Sequence, residues 1–413
     1  MARLSRQDCL AMDAADPLAL MRDRFVLPDG VIYLGGNSIG AMAKSVGERI
    51  KATTEIEWAQ GLKRSWNDAG WFTLTRKTGD KIAKIIGAPA GSVIVSDTIS
   101  VNLFKLLSAA LDLVPGRKVI LSDSGNFPSD LYVAQGLIGR LGGGLTLKIV
   151  EPEAVEAAID ETVGVLMLTE VDYRTARIHD MRSLTAKAHA AGAVTVWDLA
   201  HSAGAIEVDV TAAGVDFAHG CTYKYLNGGP GAPAYVYVRP DLIAKVRSPI
   251  FGWWGHAAPF AFDLDYRPAE GISRMQCGTQ PILSLSALDT ALDVWAGVDM
   301  AQLRAKSQRL TGVFAELVME RCGKHGVSVA GPADAQARGS HVSLHCRDGY
   351  AVMQAMIAGG VVGDFRAPDV IRFGFAPLYN RYVDAFDAAD KLATVLNERR
   401  WDTPGSRTAS AVT

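Results

Sequence analysis

Val215–Gly231 reads VDFAHGCTYKYLNGGPG, and the chain is organised around the one lysine in it, Lys224. An apolar, β-prone run enters the segment and glycines leave it, which places Lys224 on a loop beside the end of a buried strand. Upstream, AVTVWDLAH at Ala193–His201 predicts an apolar strand that delivers Asp198 at its carboxyl end, with His201 just beyond. The interval between Asp198 and Lys224 has room for a short helix and one more strand of the same sheet. The two side chains then meet across one crevice.

Two readings of that pair stand side by side. A buried lysine with a lowered pKa condenses with aldehydes, and an aspartate keeps a pyridine nitrogen protonated so that its ring withdraws electrons. Together they suggest pyridoxal 5'-phosphate. The other reading is an ordinary Asp–Lys ion pair flanking a strand.

Working outward, strand and helix patterns alternate. Strands are predicted at Ser92–Val95, Lys118–Ser122, Leu145–Val150, Val163–Glu170 and Ala193–Asp198, with helices between them. Repeated β–α–β units predict a mostly parallel sheet sandwiched by helices, with the site outside the carboxyl ends of the strands. Asp97–Leu111 opens on Thr and Ser before a strongly amphipathic run. Such a helix start offers free N–H groups to a phosphate, and simple capping by Asp97 or Thr98 is the plainer account. In SGNFPSD, Phe127 and Asp130 stand at a strand's carboxyl end, where an aromatic face can cover a flat ring. Gly142–Gly144 follow a helix and do not fit GxGxxG, so a dinucleotide fingerprint is absent.

Composition bounds the rest. A chain of 413 residues, 49% hydrophobic and 21% charged, is ordinary for a globular protein of two to three domains. The 42 basic residues against 44 acidic ones leave a net charge of −2, so nothing points to nucleic acid or an anionic membrane surface. Five cysteines, an odd number without CxxC spacing, argue against a disulfide framework or a zinc site and for reduced thiols. No signal-peptide core and no run of 18 apolar residues is present, and a soluble cytoplasmic protein is expected.

Toward the amino end, Ser5–Arg24 predicts one helix, VIYLGGNSIG a short strand running into a glycine-rich turn, and Lys44–Gln60 a further helix. Trp66 and Trp71 in SWNDAGW read as packing residues before ligand contacts. After Val238 the pattern loosens through FGWWGH, and a smaller α+β unit follows. The expected division is a large domain over 61–295, a small one over 296–401 that the segment 1–60 joins, and a disordered tail over 402–413.

At this point a resemblance carries further than spacing. YLGGNSIG, ISVNL, NFPSD, DLAH, TYKYLN, GWWGH, CGTQPIL, RGSHVSL and IRFGFAPLYN occur in this order along nearly the whole chain. The chain so resembles the kynureninases, fold-type I pyridoxal-phosphate enzymes. The resemblance implies that Lys224 is the Schiff-base lysine, that Asp198 pairs with the pyridine nitrogen beside His201, and that Phe127 stacks on the ring with Asp130 nearby. It implies phosphate contacts from Ile99, Ser100, Thr169 and Tyr223, and from Trp253 and Thr279 of a second subunit in a homodimer whose site lies at the interface. Arg372 is implied as a clamp on the substrate carboxylate, and Asn37, Ser38, Trp66 and His256 as further substrate contacts.

The implied reaction is hydrolysis of L-kynurenine, and of 3-hydroxy-L-kynurenine, to anthranilate or its 3-hydroxy analogue and L-alanine, in tryptophan catabolism and NAD biosynthesis. Tyr223 is the candidate acid for the alanyl carbon. Animal members of the family carry asparagine at the position of Thr279, and leucine and threonine at those of Ile99 and Ser100. The chain is therefore more similar to the bacterial form, with kynurenine the favoured substrate. Two rivals remain at this stage. A cysteine desulfurase shares the fold but needs a mobile nucleophilic cysteine, and neither Cys346 at a strand end nor Cys322 at a helix end suits that role. The other rival is a catalytically silent protein of the same fold, against which intact Lys224, Asp198 and Arg372 weigh.

Overall fold

The computed structural model describes residues 4–403. Residues 404–413, most of the expected disordered tail, lie outside the described residues.

Seven strands form the large sheet, in the spatial order Val93–Val95, Tyr235–Val238, Phe217–Gly220, Val194–Asp198, Val163–Thr169, Val119–Asp123, Thr146–Val150. The last five pair in parallel, and Tyr235–Val238 runs antiparallel to both of its neighbours. The first five strands in that order are apolar and buried nearly throughout, as both faces of the sheet are covered by helices. The helices Ile99–Leu113 and Pro128–Leu141 cover one face with Leu103, Leu106, Leu107 and Leu137. Against the other face pack Leu74–Ile85 and Ile282–Ala291, through Ile82, Leu285 and Leu288.

A second sheet of four strands follows in the order Asp364–Arg366, Val370–Gly374, His341–His345, Ser328–Val329, all antiparallel. Met300–Cys322 and Tyr382–Asn397 cover it through Phe314, Leu317 and Leu392. Ile32–Tyr33 pairs in parallel with Val361–Val362, and Gly35 bridges to Gly374, so the amino-terminal chain is tied to this smaller sheet.

The segment expected as one helix over Ser5–Arg24 is two pieces. Arg6–Ala14 is α-helical behind a Ser5–Asp8 capping box, and a 3₁₀ turn spans Ala19–Arg24. Pro17 lies in the break, and the residue before a proline is sterically pushed out of the helical region. The first piece lies along Tyr382–Asn397, with Asp13 accepting the N–H groups of Tyr382 and Val383 at 2.6 and 3.0 Å. Ser45–Ala52 packs instead on Ile282–Ala291 of the large body and continues as a π-helical stretch, Thr53–Gly61.

The helix expected between Asp198 and Lys224 is not formed. The connection runs through turns with buried Ile206, Val208 and Val210, β-branched side chains that anchor an irregular chain to the core.

Candidate active site

Lys224 emerges on a loop just beyond the strand Phe217–Gly220, and the neighbouring parallel strand ends in Asp198. The NSIG turn closes over this loop: the Gly40 N–H donates to the Tyr223 carbonyl at 2.8 Å. A Cβ on Gly40 would lie 2.2 Å from the Lys224 carbonyl oxygen, so glycine is needed for that approach. Below the loop, the Asn227 amide donates to the Ala41 carbonyl at 2.9 Å. Together these contacts place Asn37 and Ser38 at the rim of a cavity of about 570 Å³, a size that suits a small cofactor and its substrate.

Ile99, Ser100, Phe127, Asp130, Thr169, Asp198, His201, Tyr223, Lys224, Arg372, Asn37 and Ser38 all line this cavity. Lys224 Nζ lies 2.9 Å from His201 Nε2 and 5.9 Å from the centre of the Phe127 ring. Phe127 is 42% exposed, and its ring meets that of Tyr173 in a T-shaped contact at 5.1 Å. Asp198 is buried; its Oδ1 accepts the Ala200 N–H at 2.8 Å, while Oδ2 has a long 3.4 Å contact from the Thr169 hydroxyl. That hydroxyl also lies 3.2 Å from the Val171 carbonyl, and its single proton serves one acceptor. One carboxylate oxygen is therefore open to a further N–H.

Burial sets the protonation of the surrounding groups. The Asp130 carboxyl is pushed well above the usual range by burial and then by the nearby Asp198. His201 is held well below its ordinary value by burial and then by Lys224, and is neutral. The Tyr223 hydroxyl is pushed up, chiefly by burial, and keeps its proton at neutral pH.

The residues fit pyridoxal phosphate. The helix Ile99–Leu113 begins at the cavity, and its N-cap Thr98 makes no side-chain capping bond. Asp97 makes no capping bond either; its Oδ2 pairs with the buried Lys105 Nζ at 2.8 Å. The first N–H groups thus face the cavity free for a phosphate. The open oxygen of Asp198 suits a pyridinium N–H, the Phe127 face suits a flat ring, and Lys224 suits an aldehyde.

Arg372 reaches the cavity from the smaller sheet, but its guanidinium is already engaged. Nε and Nη2 grip Asp364 at 2.6 and 2.6 Å, and Nη1 donates to the Tyr173 carbonyl. Arg366, Tyr173 and Cys221 also line the cavity and were missed in the sequence. For Arg366 a signal was present, since DFR is a short charged strand directly before the one carrying Arg372. Trp253, Thr279, Trp66 and His256 do not line the cavity of this chain. Trp66 packs on Trp71 and Trp254 at 5.5 and 5.1 Å, in keeping with the packing reading, while Trp253 and Thr279 are exposed.

No cysteine is set up as a nucleophile. Burial pushes Cys9 and Cys346 up to about 11 and Cys322 to about 12, and Cys221 and Cys277 are raised as well. Among the described residues no group of three or more His, Cys, Asp or Glu is placed to hold a metal, and no helix is long and apolar enough to cross a membrane.

A lysine facing a buried aspartate at the carboxyl ends of such a sheet, beside a smaller antiparallel sheet, is the arrangement of the fold-type I pyridoxal-phosphate enzymes. Solved structures share the fold: a cysteine desulfurase from Thermococcus onnurineus NA1 superposes with a TM-score of 0.76 at 18% identity, covering 96% of this chain and 100% of that one. C-DES, with glycine covalently linked to its PLP cofactor, gives 0.76 at 15% identity over 90% of this chain and 98% of that one. Residues 303–392 match the family model of the kynureninase C-terminal domain. The kynureninase of Pseudomonas fluorescens is 50% identical over 402 residues, 96% of this chain and 97% of that protein. That of Burkholderia pseudomallei (strain 1106a) is 48% identical over 414 residues, 99% of this chain and 100% of that protein. The chain belongs to the kynureninase family.

Proposed function

We propose that the protein is a kynureninase, hydrolysing L-kynurenine to anthranilate and L-alanine. The observation that carries the proposal is the convergence of Lys224, Asp198, Tyr223 and Arg372 on one cavity in a chain of this family. Pyridoxal 5'-phosphate, held by Lys224, Asp198, Phe127 and the start of the helix Ile99–Leu113, supplies an aldehyde and an electron-withdrawing ring. Lys224, once its amine is free, takes the α-proton. Asp198 would keep the ring nitrogen protonated and Arg372 would orient the α-carboxylate; water adds to the γ-carbonyl, and the hydrate then collapses to the carboxyl group of anthranilate, leaving the Cβ–Cγ bond pair on the alanyl carbon. Tyr223, whose hydroxyl keeps its proton, then protonates the alanyl carbon.

Asp364 and the Tyr173 carbonyl together take three of the five N–H groups of Arg372, which leaves one on Nη1 and one on Nη2 to meet a carboxylate. Arg366 and Arg372 share the single Asp364, with Arg366 Nη2 at 3.4 Å. That end of the cavity therefore has one cation in excess, and an anionic substrate group neutralises it. An assay of anthranilate fluorescence with L-kynurenine and its 3-hydroxy analogue tests the proposal. Turnover of both, with the higher kcat/KM for kynurenine, is expected. Turnover of neither overturns it.

Tyr223→Phe separates two roles. As proton donor to the alanyl carbon, Tyr223 is expected to leave a burst of anthranilate intact and slow alanine release by about 10²–10⁴-fold. Equal slowing of both products makes it a cofactor anchor instead.

We further infer a homodimer, with Trp253 and Thr279 completing the site of the other subunit. Phe251, Trp253, Phe260, Phe262 and Leu264 form an exposed apolar stretch, which suits an isologous contact. If the site is shared, mixing inactive Lys224→Ala protein with a Trp253→Ala/Thr279→Ala variant restores about a quarter of the wild-type activity. Half of the randomly exchanged dimers are hybrids, and each hybrid has one intact site. No recovery despite proven subunit exchange would overturn the shared site. The domain division at 61 and 296 and a cytoplasmic location, in keeping with five unpaired thiols, complete the proposal.

A further inference from the structure

Beside Lys224, where the cavity wall meets the smaller sheet, lies a group of buried polar side chains with unpartnered atoms. His201 bonds Lys224 through Nε2, and its Nδ1 has no partner. His341, on the strand His341–His345, is fully buried with neither ring nitrogen bonded, and its ring centre is 5.6 Å from that of His201. The Tyr173 backbone lies near enough to be felt, yet forms no hydrogen bond with it. Asn37 has both amide atoms unpartnered, and a Cβ on Gly374, the register partner of His341, would lie 2.1 Å from its Oδ1. Orphaned groups of this kind are costly, and such pockets are where buried water is held.

Both imidazoles are neutral. Burial holds each well below its ordinary value, with Lys224 next for His201 and Arg372 next for His341. A neutral ring has one N–H, and its hydrogen bonds decide which nitrogen bears it. We propose that His341 is a positioning residue for Lys224. It accepts the Nδ1 proton of His201 through one bridging water, and so leaves the Nε2 lone pair to receive a Lys224 N–H. The opposite tautomer would donate from Nε2 into the lone pair of the freed amine, the pair that must take the α-proton. The inference rests on the reading of Lys224 as the group that does so.

The test is exchange of the α-proton of L-alanine, the reaction product, in D₂O with the cofactor-loaded enzyme, followed by proton NMR. Wild type is expected to exchange and Lys224→Ala not to; exchange by Lys224→Ala would sink the reading of the lysine. His341→Phe is expected to exchange about 10–100-fold more slowly with alanine affinity within about threefold of wild type, and His341→Gln, whose carbonyl accepts, to recover most of the rate. A wild-type rate in His341→Phe overturns the proposal, as does equal slowing in both variants with weakened alanine binding. Should His341→Phe not fold, ¹⁵N spectra of histidine-labelled wild-type protein decide, with His201 assigned by its loss in His201→Gln. A proton on Nδ1 is expected, and one on Nε2 overturns the proposal.

Discussion

Lys224→Ala lowers turnover of kynurenine by at least about 10⁴-fold, because the substitution removes both the covalent hold on the cofactor and the base for the α-proton. The fold is expected to survive. Lys224 is half-buried on a loop, and its side-chain bond in the structure is the one to His201, so Ala removes no core packing. Stopped assays for anthranilate on protein reconstituted with cofactor measure the effect. Turnover within tenfold of wild type would move the chemistry to another residue.

Arg372→Lys is expected to lower kcat/KM by about 10²–10³-fold, equivalent to about 3–4 kcal/mol of transition-state binding. Lysine keeps the charge but loses the planar fork that grips Asp364 while keeping N–H groups for a carboxylate. Asp364, almost fully buried, then loses the two 2.6 Å bonds from one planar group that hold it in place, and the 3.4 Å contact from Arg366 does not replace them. The cofactor's visible band is expected to stay at wild-type strength, since none of the groups proposed to hold the ring or phosphate touches Arg372. Steady-state kinetics with parallel absorbance spectra separate the two effects. Unchanged kcat/KM would leave Arg372 a structural role, paired with Asp364 inside the smaller sheet and bonded to the Tyr173 carbonyl.

The large sheet was legible because its strands are buried on both faces and read as continuous apolar runs, such as VGVLML and AVTVW. Lys224 and Asp198 were legible for the same reason, as charged residues at the ends of such runs stand out. The engagement of Arg372 was not, because it depends on the antiparallel register that sets Asp364 opposite Arg372, and nothing local encodes that register. Nor was the vacant cap at Thr98 legible. Asp97 is a good capping residue by type, and it pairs with Lys105, whose burial only the tertiary packing fixes. The break in Ser5–Arg24 was different, since Pro17 announced it. The histidines beside Lys224 come from segments far apart in the chain, His201 and His341, and only the closure of the smaller sheet onto the larger body brings them together.

The central claim is that Lys224 carries the cofactor. Borohydride reduction of the loaded protein, followed by digestion and peptide mass spectrometry, tests it most directly. The account predicts a phosphopyridoxyl mass on the peptide containing Lys224 and on no other lysine. The adduct on a different lysine, or no adduct in protein that retains its visible band, would contradict it.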